Sequence, residues 1–418
     1  MILVVGAAGA AAFSALRMGL PSLGPALRDA YGLSVGEVGL VFAALSVGVM
    51  LTLLPWGMLT DRVGERPVMT AGLAGTALPL AAAALVGGFA AVLLGLLAAG
   101  MMGASATGAS GRAVMGWFGR SERGFALGLR QMALPLGGAI GSIALPLLAG
   151  AGGVRLALLT LAGLHLAAAV MAFTFLRDAP PPADPPPGTA PPPMHDARIW
   201  RLGVAGALQI AAQAAMLGFL VLFLHDARGL STHLAAAASA AVLLLGAGAR
   251  LSAGRASDTE GRRIAPMRRN ALRTAALLAA VAVLATAPGV LLYPVLLVAA
   301  VSTMSWNGLA ITAAGEISGR NRAATAMGLQ TTILAAGGAS APVAFGALVD
   351  ATSWAPAFAV LTLAPLAAFV VLRPLVGDEE ERISAREQRL ANAARRRRDP
   401  VCDPVARPRT RSLIKEPT

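Results

Sequence analysis

The sequence predicts an all-α polytopic membrane protein with twelve transmembrane helices in two pseudo-symmetric six-helix bundles. Three observations carry that prediction. Of 418 residues, 56% are hydrophobic and only 13% are charged, against about one-quarter charged in a soluble domain, and the mean hydropathy is +0.69. The apolar residues gather into twelve segments long enough to cross a bilayer. Two blocks of sequence recur about 200 residues apart, one copy in each half.

A spanning helix needs ~20 apolar residues. The segments run roughly 2–27, 36–58, 67–87, 89–115, 124–150, 153–176, 199–224, 232–254, 269–287, 289–315, 324–349 and 354–376. The first starts without a basic leader and stays apolar past Arg17, so it reads as a span and not as a cleaved signal peptide; a start upstream of Met1 would supply the missing leader. The shortest separations fall at Gly87-Gly88 and Pro288-Gly289. Residues 178–197, DAPPPADPPPGTAPPPMHDA, are too rich in proline for a helix or for the bilayer. They divide six spans from six. The expected organisation is an N-terminal bundle at 1–177, a proline-rich cytoplasmic linker at 178–198, a C-terminal bundle at 199–376 and a basic cytoplasmic tail at 377–418. The tail, with the run Arg395–Arg398, reads as a short amphipathic helix followed by disorder, meeting water or anionic lipid.

The balance of 34 basic and 21 acidic residues raises the question of a nucleic-acid partner. The placement of the charges excludes one. With the N-terminus inside, the cytoplasmic links hold fifteen arginines: Arg62, Arg66, Arg120, Arg123, Arg177, Arg198, Arg201, Arg255, Arg262, Arg263, Arg268, Arg269, Arg273, Arg320 and Arg322. The opposite side holds Arg28, Arg155 and Arg228. That asymmetry predicts a multi-pass protein of the cytoplasmic (inner) membrane with both termini in the cytoplasm. The single cysteine, Cys402, rules out an internal disulfide, and the four scattered histidines offer no metal-ligand spacing. No cofactor and no metal are expected. No nucleophile–base pair lies inside a span, and no P-loop is present, so neither an enzyme nor a direct ATP-driven pump is expected.

The two halves repeat each other. Gly57, Asp61, Gly64 and Arg66 after span 2 match Gly254, Asp258, Gly261 and Arg263 after span 8, a G-x-x-x-D-x-x-G-x-R pattern displaced by 197 residues. Arg62 and Arg262 add basic charge to the two copies. The block from Arg123 to Gln131 matches that from Arg322 to Gln330, and Gly137-Gly138 matches Gly337-Gly338. On these residues the chain resembles the Major Facilitator Superfamily of transporters. The stretch Gly111-Arg112-Ala-Val-Met-Gly-Trp-Phe, the block ending at Arg130-Gln131 and Trp306-Asn307-Gly308 before Glu316 resemble its nitrate/nitrite-porter and cyanate-permease-like branches. The resemblance implies that Asp61 locks a cytoplasmic gate against helix 11. Glu65 departs from the family, which usually has a basic residue there. Physically, the glycines permit a tight turn and close helix approach, and an aspartate suits the positive end of a helix.

The resemblance also implies a site near the midplane between the halves, lined by helices 1, 4, 7 and 10. Charges inside spans are costly there and point to function. Arg17 lies near the middle of span 1, roughly 15 Å from either surface at 1.5 Å per residue; it either recognises an anion or pairs structurally. Arg112 and Arg130 lie nearer the cytoplasm and serve a substrate contact, a gate or snorkelling. Arg250 reads as interfacial. No Asp or Glu occupies mid-depth in any span, so an unpaired arginine should draw a counter-anion. Gln131, Gln209, Gln213, Trp306, Asn307 and Gln330 complete a polar lining, or else join helices by hydrogen bonds.

The leading expectation is a secondary active transporter for a small organic or inorganic anion, working by alternating access in the bilayer as a monomer, the state the resemblance implies, with proton symport, exchange or no coupling. Efflux of drugs or metabolites is the alternative within transport. A sensor on the same fold, signalling through its tail, is the alternative outside it.

Overall fold

The computed structural model describes residues 1–117, 123–178, 193–318 and 323–398, and every regular element among them is helical. Helix α1 spans Ile2–Tyr31, with one 3-10 turn at Leu20–Leu23. Pro21 and Pro25 fall in the opening turns of its later pieces, where the missing N–H leaves no bond unmade. Helix α2 (Val35–Val63) opens with a capping box in which Ser34 accepts from the Glu37 N–H and the Glu37 carboxylate accepts from Ser34. Then come α3 (Glu65–Val86) and α4 (Phe89–Trp117). The helical stretch Arg123–Phe175 is two helices, α5 and α6, that meet at the non-helical Gly152 and Gly153.

In the second half, α7 (Ala197–Leu222) ends in a π turn at Phe223–Ala227. It is followed by α8 (Thr232–Glu260) and α9 (Ile264–Leu284). Helix α10 is broken into Gly289–Ser302 and Asn307–Ser318. Helix α11 is Ala323–Ala351, and α12 comprises Trp354–Leu361 and Leu363–Val371. Among the described residues, ten segments are long and apolar enough to cross a membrane. One of them, Met132–Phe175, holds most of both α5 and α6, and α9 adds a further helix of 21 residues whose first half carries Arg268, Arg269 and Arg273. Each of the twelve expected spans thus corresponds to a helix. Met1–Arg373 forms one compact unit, and Pro374–Thr418 forms a second whose described part belongs to α13 (Arg373–Arg398). Most of the proline-rich linker (179–192) and the tail beyond 398 lie outside the described residues.

Small residues set the packing. Gly137 and Gly141 of α5 press against the backbone of Ala11 and Ala15 of α1, and Gly337 of α11 presses against the backbone of Ala207 of α7 in the same way. The repeated Gly-Gly motif therefore marks one structural place, the α1–α5 contact and its counterpart α7–α11. In the first half, Gly48 of α2 and Gly100 of α4 bring those two backbones together. Lipid would cover the outer faces, where Val86, Val283 and Val290 are about four-fifths exposed (78%, 81% and 79%).

The halves join through α2 with α11, α5 with α8, and the 3-10 turn of α1 with α7. The join is one-sided. At the arginine-poor end, a Cβ on Gly39 would stand 2.5 Å from the Pro342 carbonyl, and one on Gly346 would stand 2.7 Å from the Val35 carbonyl. Toward the arginine-rich end of the same two helices, Gly57 and Gly328 have nothing within 4 Å of such an atom. Among the described residues, α2 and α11 meet at one end and are parted at the other.

Two expectations about the repeated motif need correction. Gly57, Asp61 and Arg62 lie within the last turns of α2, and Gly254 and Asp258 lie within α8; they are not in links. The turns themselves are made by Gly64 (φ +94°) and Gly261 (φ +66°), conformations that favour glycine. Close approach at Gly57 and Gly254 is absent in this conformation, because the end they occupy is the parted one.

These contacts predict contrasting alanine variants. Gly48→Ala should lower unfolding stability by ~1–3 kcal/mol, since its methyl would overlap the α4 backbone. Gly57→Ala should be neutral or raise stability by up to ~1 kcal/mol through helix propensity. Thermal unfolding of the two purified variants checks both.

Candidate substrate site and gates

The closed end is sealed by three kinds of contact between the halves. Both oxygens of Asp350, at the end of α11, accept backbone N–H bonds from the start of α2, Val35 at 3.0 Å and Gly36 at 2.6 Å. Arg28 of α1 pairs with Asp226 after α7. Between these lies an aromatic cluster. Phe42 of α2 meets Phe219 of α7 edge-on at 5.7 Å, and Phe219 packs on Phe345 of α11 at 5.2 Å. Phe223, Trp354 and Phe358 extend it. Such ring pairs contribute ~0.5–1.5 kcal/mol each beyond area burial. The partly exposed ion pair contributes at most ~1 kcal/mol.

Arg17 lies one turn before the 3-10 turn of α1. Leu20 and Leu23, in the turn that packs on α7, are buried, whereas the Arg17 side chain is exposed. The other faces of α1 are occupied. Ala11, Ala15 and Met18 lie on α5; Gly9 lies on Met69 and Leu73 of α3; Phe13 lies on Gly103 of α4 and meets His165 of α6 edge-on at 6.4 Å. Arg17 makes no hydrogen bond or ion pair among the described residues, although it sits midway along a 30-residue membrane helix. It is an exposed cation midway along α1.

Arg130 differs. It is buried, and its Nε and Nη2 donate to Ser110 Oγ of α4 at 3.0 and 2.9 Å, so α4 and α5 share it as a clamp. Arg250, read from sequence as interfacial, turns inward instead. Its Nε donates to the Met304 carbonyl at 3.3 Å, inside the break of α10 where helical bonding lapses. The side chains of Arg112 and Gln131 lie outside the description.

The α10 break gathers the polar residues of the second half. Asn307 Nδ2 donates to Gln213 Oε1 of α7 at 3.1 Å. Trp306 is 1% exposed and packs on α7 where Gly206 leaves room for the indole. Its Nε1, the Gln209 amide nitrogen and both amide atoms of Gln330 are buried without a partner among the described residues. Gln330 stands one turn before Leu334, which also packs on Gly206. Gln209, Gln213, Trp306 and Asn307 therefore share the α7–α10 region, while no hydrogen bond among the described residues joins them to Arg17.

At the parted end, each half keeps its motif bonds to itself. Arg66 donates to the Phe173 carbonyl at 2.8 Å and lies 4.9 Å above the Phe173 ring, and its N–H donates to Asp178. Arg263 pairs with Asp258 at 2.6 Å and Glu316 at 3.1 Å. Glu65, the departure from the family pattern, is buried, and Arg62 is exposed. The Asp61 side chain and residues 319–322 lie outside the description, and with them the lock implied for Asp61. Sequence reading assigned no contact to Asp350, Arg28 or Asp226. Their signal was isolation: they are among the few charges in the arginine-poor loops.

A chain whose described elements are all helical, with a cation midway along α1, a broken α10 and halves joined at one end, matches known proteins. The model of the Major Facilitator Superfamily covers residues 5–342. The chain belongs to that superfamily. An uncharacterised MFS-type transporter of Mycobacterium tuberculosis (strain ATCC 25618 / H37Rv) is 33% identical over 393 residues, 90% of this chain and 86% of that protein. Among solved structures, a bacterial homologue of the human lysosomal transporter Spinster, inward-facing and occupied, superposes with a TM-score of 0.73 at 15% identity over 90% of this chain and 95% of that one. The nucleoside transporter NupG gives 0.72 at 13% identity over 90% and 99%. The human organic anion transporter MFSD10 gives 0.61 at 20% identity over 89% and 98%. These share its fold. Members of the superfamily are membrane transporters, and this one is a multi-pass helical protein of that kind.

The Gln213–Asn307 bond gives a local prediction. Gln213→Leu strands the Asn307 amide and should lower stability by ~1–2 kcal/mol. Gln213→Leu combined with Asn307→Leu should cost less than the two single variants added together, as a double-mutant cycle by thermal unfolding would show.

Proposed function

We propose that this superfamily member is a secondary transporter that moves a small anion by alternating access, with Arg17 as the anion-binding cation. The observation that supports it most is the state of Arg17: exposed, without a described partner, midway along α1, in a chain with no Asp or Glu at mid-depth in any span. A cation in that position is costly without a counter-charge. A carboxylate or inorganic oxyanion supplies one through two parallel hydrogen bonds. The amides of the α7–α10 region serve as neutral contacts to the same ligand once the halves move. Broken helix α10 suits this role, since irregular backbone at membrane depth is tolerated where it lines a cavity.

By the positive-inside rule the parted, arginine-rich end faces the cytoplasm and both termini lie there. The conformation described then opens inward.

The test is thermal unfolding of purified protein against a panel of small carboxylates, inorganic oxyanions, organic cations and neutral drugs. An anion at a hundred times its Kd should stabilise the native protein by about 2.7 kcal/mol. Arg17→Gln should abolish that stabilisation and lower uptake of the same anion into proteoliposomes at least tenfold, without lowering stability in the absence of ligand. Stabilisation by cationic or neutral drugs that survives Arg17→Gln overturns the assignment and favours drug efflux.

A further inference from the structure

We propose that Asp350 is a releasable latch between the halves: its carboxylate holds the closed end shut by capping helix α2, and its loss shifts the protein toward the state open at that end.

The first turn of a helix leaves four backbone N–H groups without helical partners. In α2 all four are satisfied. The Ser34 N–H goes to the Glu37 carboxylate, and the Glu37 N–H to the Ser34 hydroxyl. The remaining two, of Val35 and Gly36, go to Asp350, more than 300 residues away and in the other half. Helix α2 thus begins correctly only while α11 is docked on it. The carboxylate also faces the positive end of the α2 dipole. Both bonds are charge-assisted.

The surroundings are shaped for this docking. A Cβ on Gly36 would stand 2.8 Å from Asp350 Oδ2, so that glycine admits the carboxylate. Gly39 and Gly346 bring α2 and α11 into backbone contact within the next turn, and the Phe219 ring lies 3.3 and 3.1 Å from where their Cβ atoms would be. The contact is also built to release. Asp350 remains exposed at the rim of a shallow groove lined by Ser34, Glu37, Leu40, Val343 and Ala347. On separation the carboxylate and the two N–H groups pass directly to water, so no buried charge is left behind. A deeply buried pair would lock the state instead. Arg28 and Asp226 seal the same end on the α1–α7 side. They join two side chains in water, without a helix end to satisfy.

The test uses the full chain with its only cysteine removed (Cys402→Ser) and a single reporter added, read as the rate of maleimide labelling of purified protein in detergent. Neither the orientation in the membrane nor the substrate enters the measurement, so its failure is separate from failure of the anion reading. Val38→Cys reports the closed end, where Val38 is fully buried. Gly328→Cys reports the parted end, where added atoms meet open space. Asp350→Ala should raise labelling at position 38 about tenfold, the size expected for loss of a helix cap, and lower it at position 328. Asp350→Asn, which keeps one acceptor oxygen, should fall between Asp350→Ala and the parent, and it carries the test if Asp350→Ala does not fold. Unchanged labelling at position 38 overturns the proposal. So does a rise at both positions, which would mean that Asp350 stabilises the fold and does not choose between its states.

Discussion

The backbone contact between α2 and α11 at one end of the molecule is the constraint on which the rest depends. Gly39 and Gly346 let the two helices touch there, while Gly57 and Gly328 of the same helices have no described atom within 4 Å of an added Cβ. The aromatic cluster around Phe219 fills the volume behind that contact. The contact is dry and apolar at its centre and hydrogen-bonded at its edge, so it can be remade.

Electrostatics then sorts the cations of the interior. Arg130 is buried, and Ser110 receives two of its N–H groups; its charge is spent holding α4 to α5. Arg250 answers a carbonyl set free by the break in α10. Arg17 has neither arrangement among the described residues. The same residue type therefore has different work in each case, decided by what the neighbouring helix offers. Low dielectric around the site makes that difference large.

Pseudo-symmetry supplies the frame, and departures from it supply the chemistry. Gly137 on Ala11 and Gly337 on Ala207 are the same contact made twice. Arg17, by contrast, has Ala214 as its counterpart at the 197-residue shift, beside Gln213. One half presents charge and the other amides and a broken helix. A ligand between them would meet two unlike surfaces, which suits a small polar molecule held in one orientation.

Much of the fold was legible in the sequence. Length and apolarity place the helices, because in lipid every backbone group must be satisfied within its own segment. The motif glycines marked the turns that Gly64 and Gly261 make with positive φ, whereas the capping box at Ser34 and Glu37 emerged only from the structure. The repeat and its motifs gave the family. The break at residues 303–306 was not legible, since Thr303, Met304, Ser305 and Trp306 carry no proline or glycine to announce it; it depends on Arg250 and Gln213 reaching it from other helices. Nor was the seal at Asp350, because its partners lie more than 300 residues away and are backbone groups, which sequence does not distinguish. Sequence by itself determined what is local or periodic: which segments are helices, where they start and stop, and that one half repeats the other. Tertiary structure alone decided which arginine is held and which is exposed, and which end of the molecule is shut, because those depend on the contacts a helix finds across the chain.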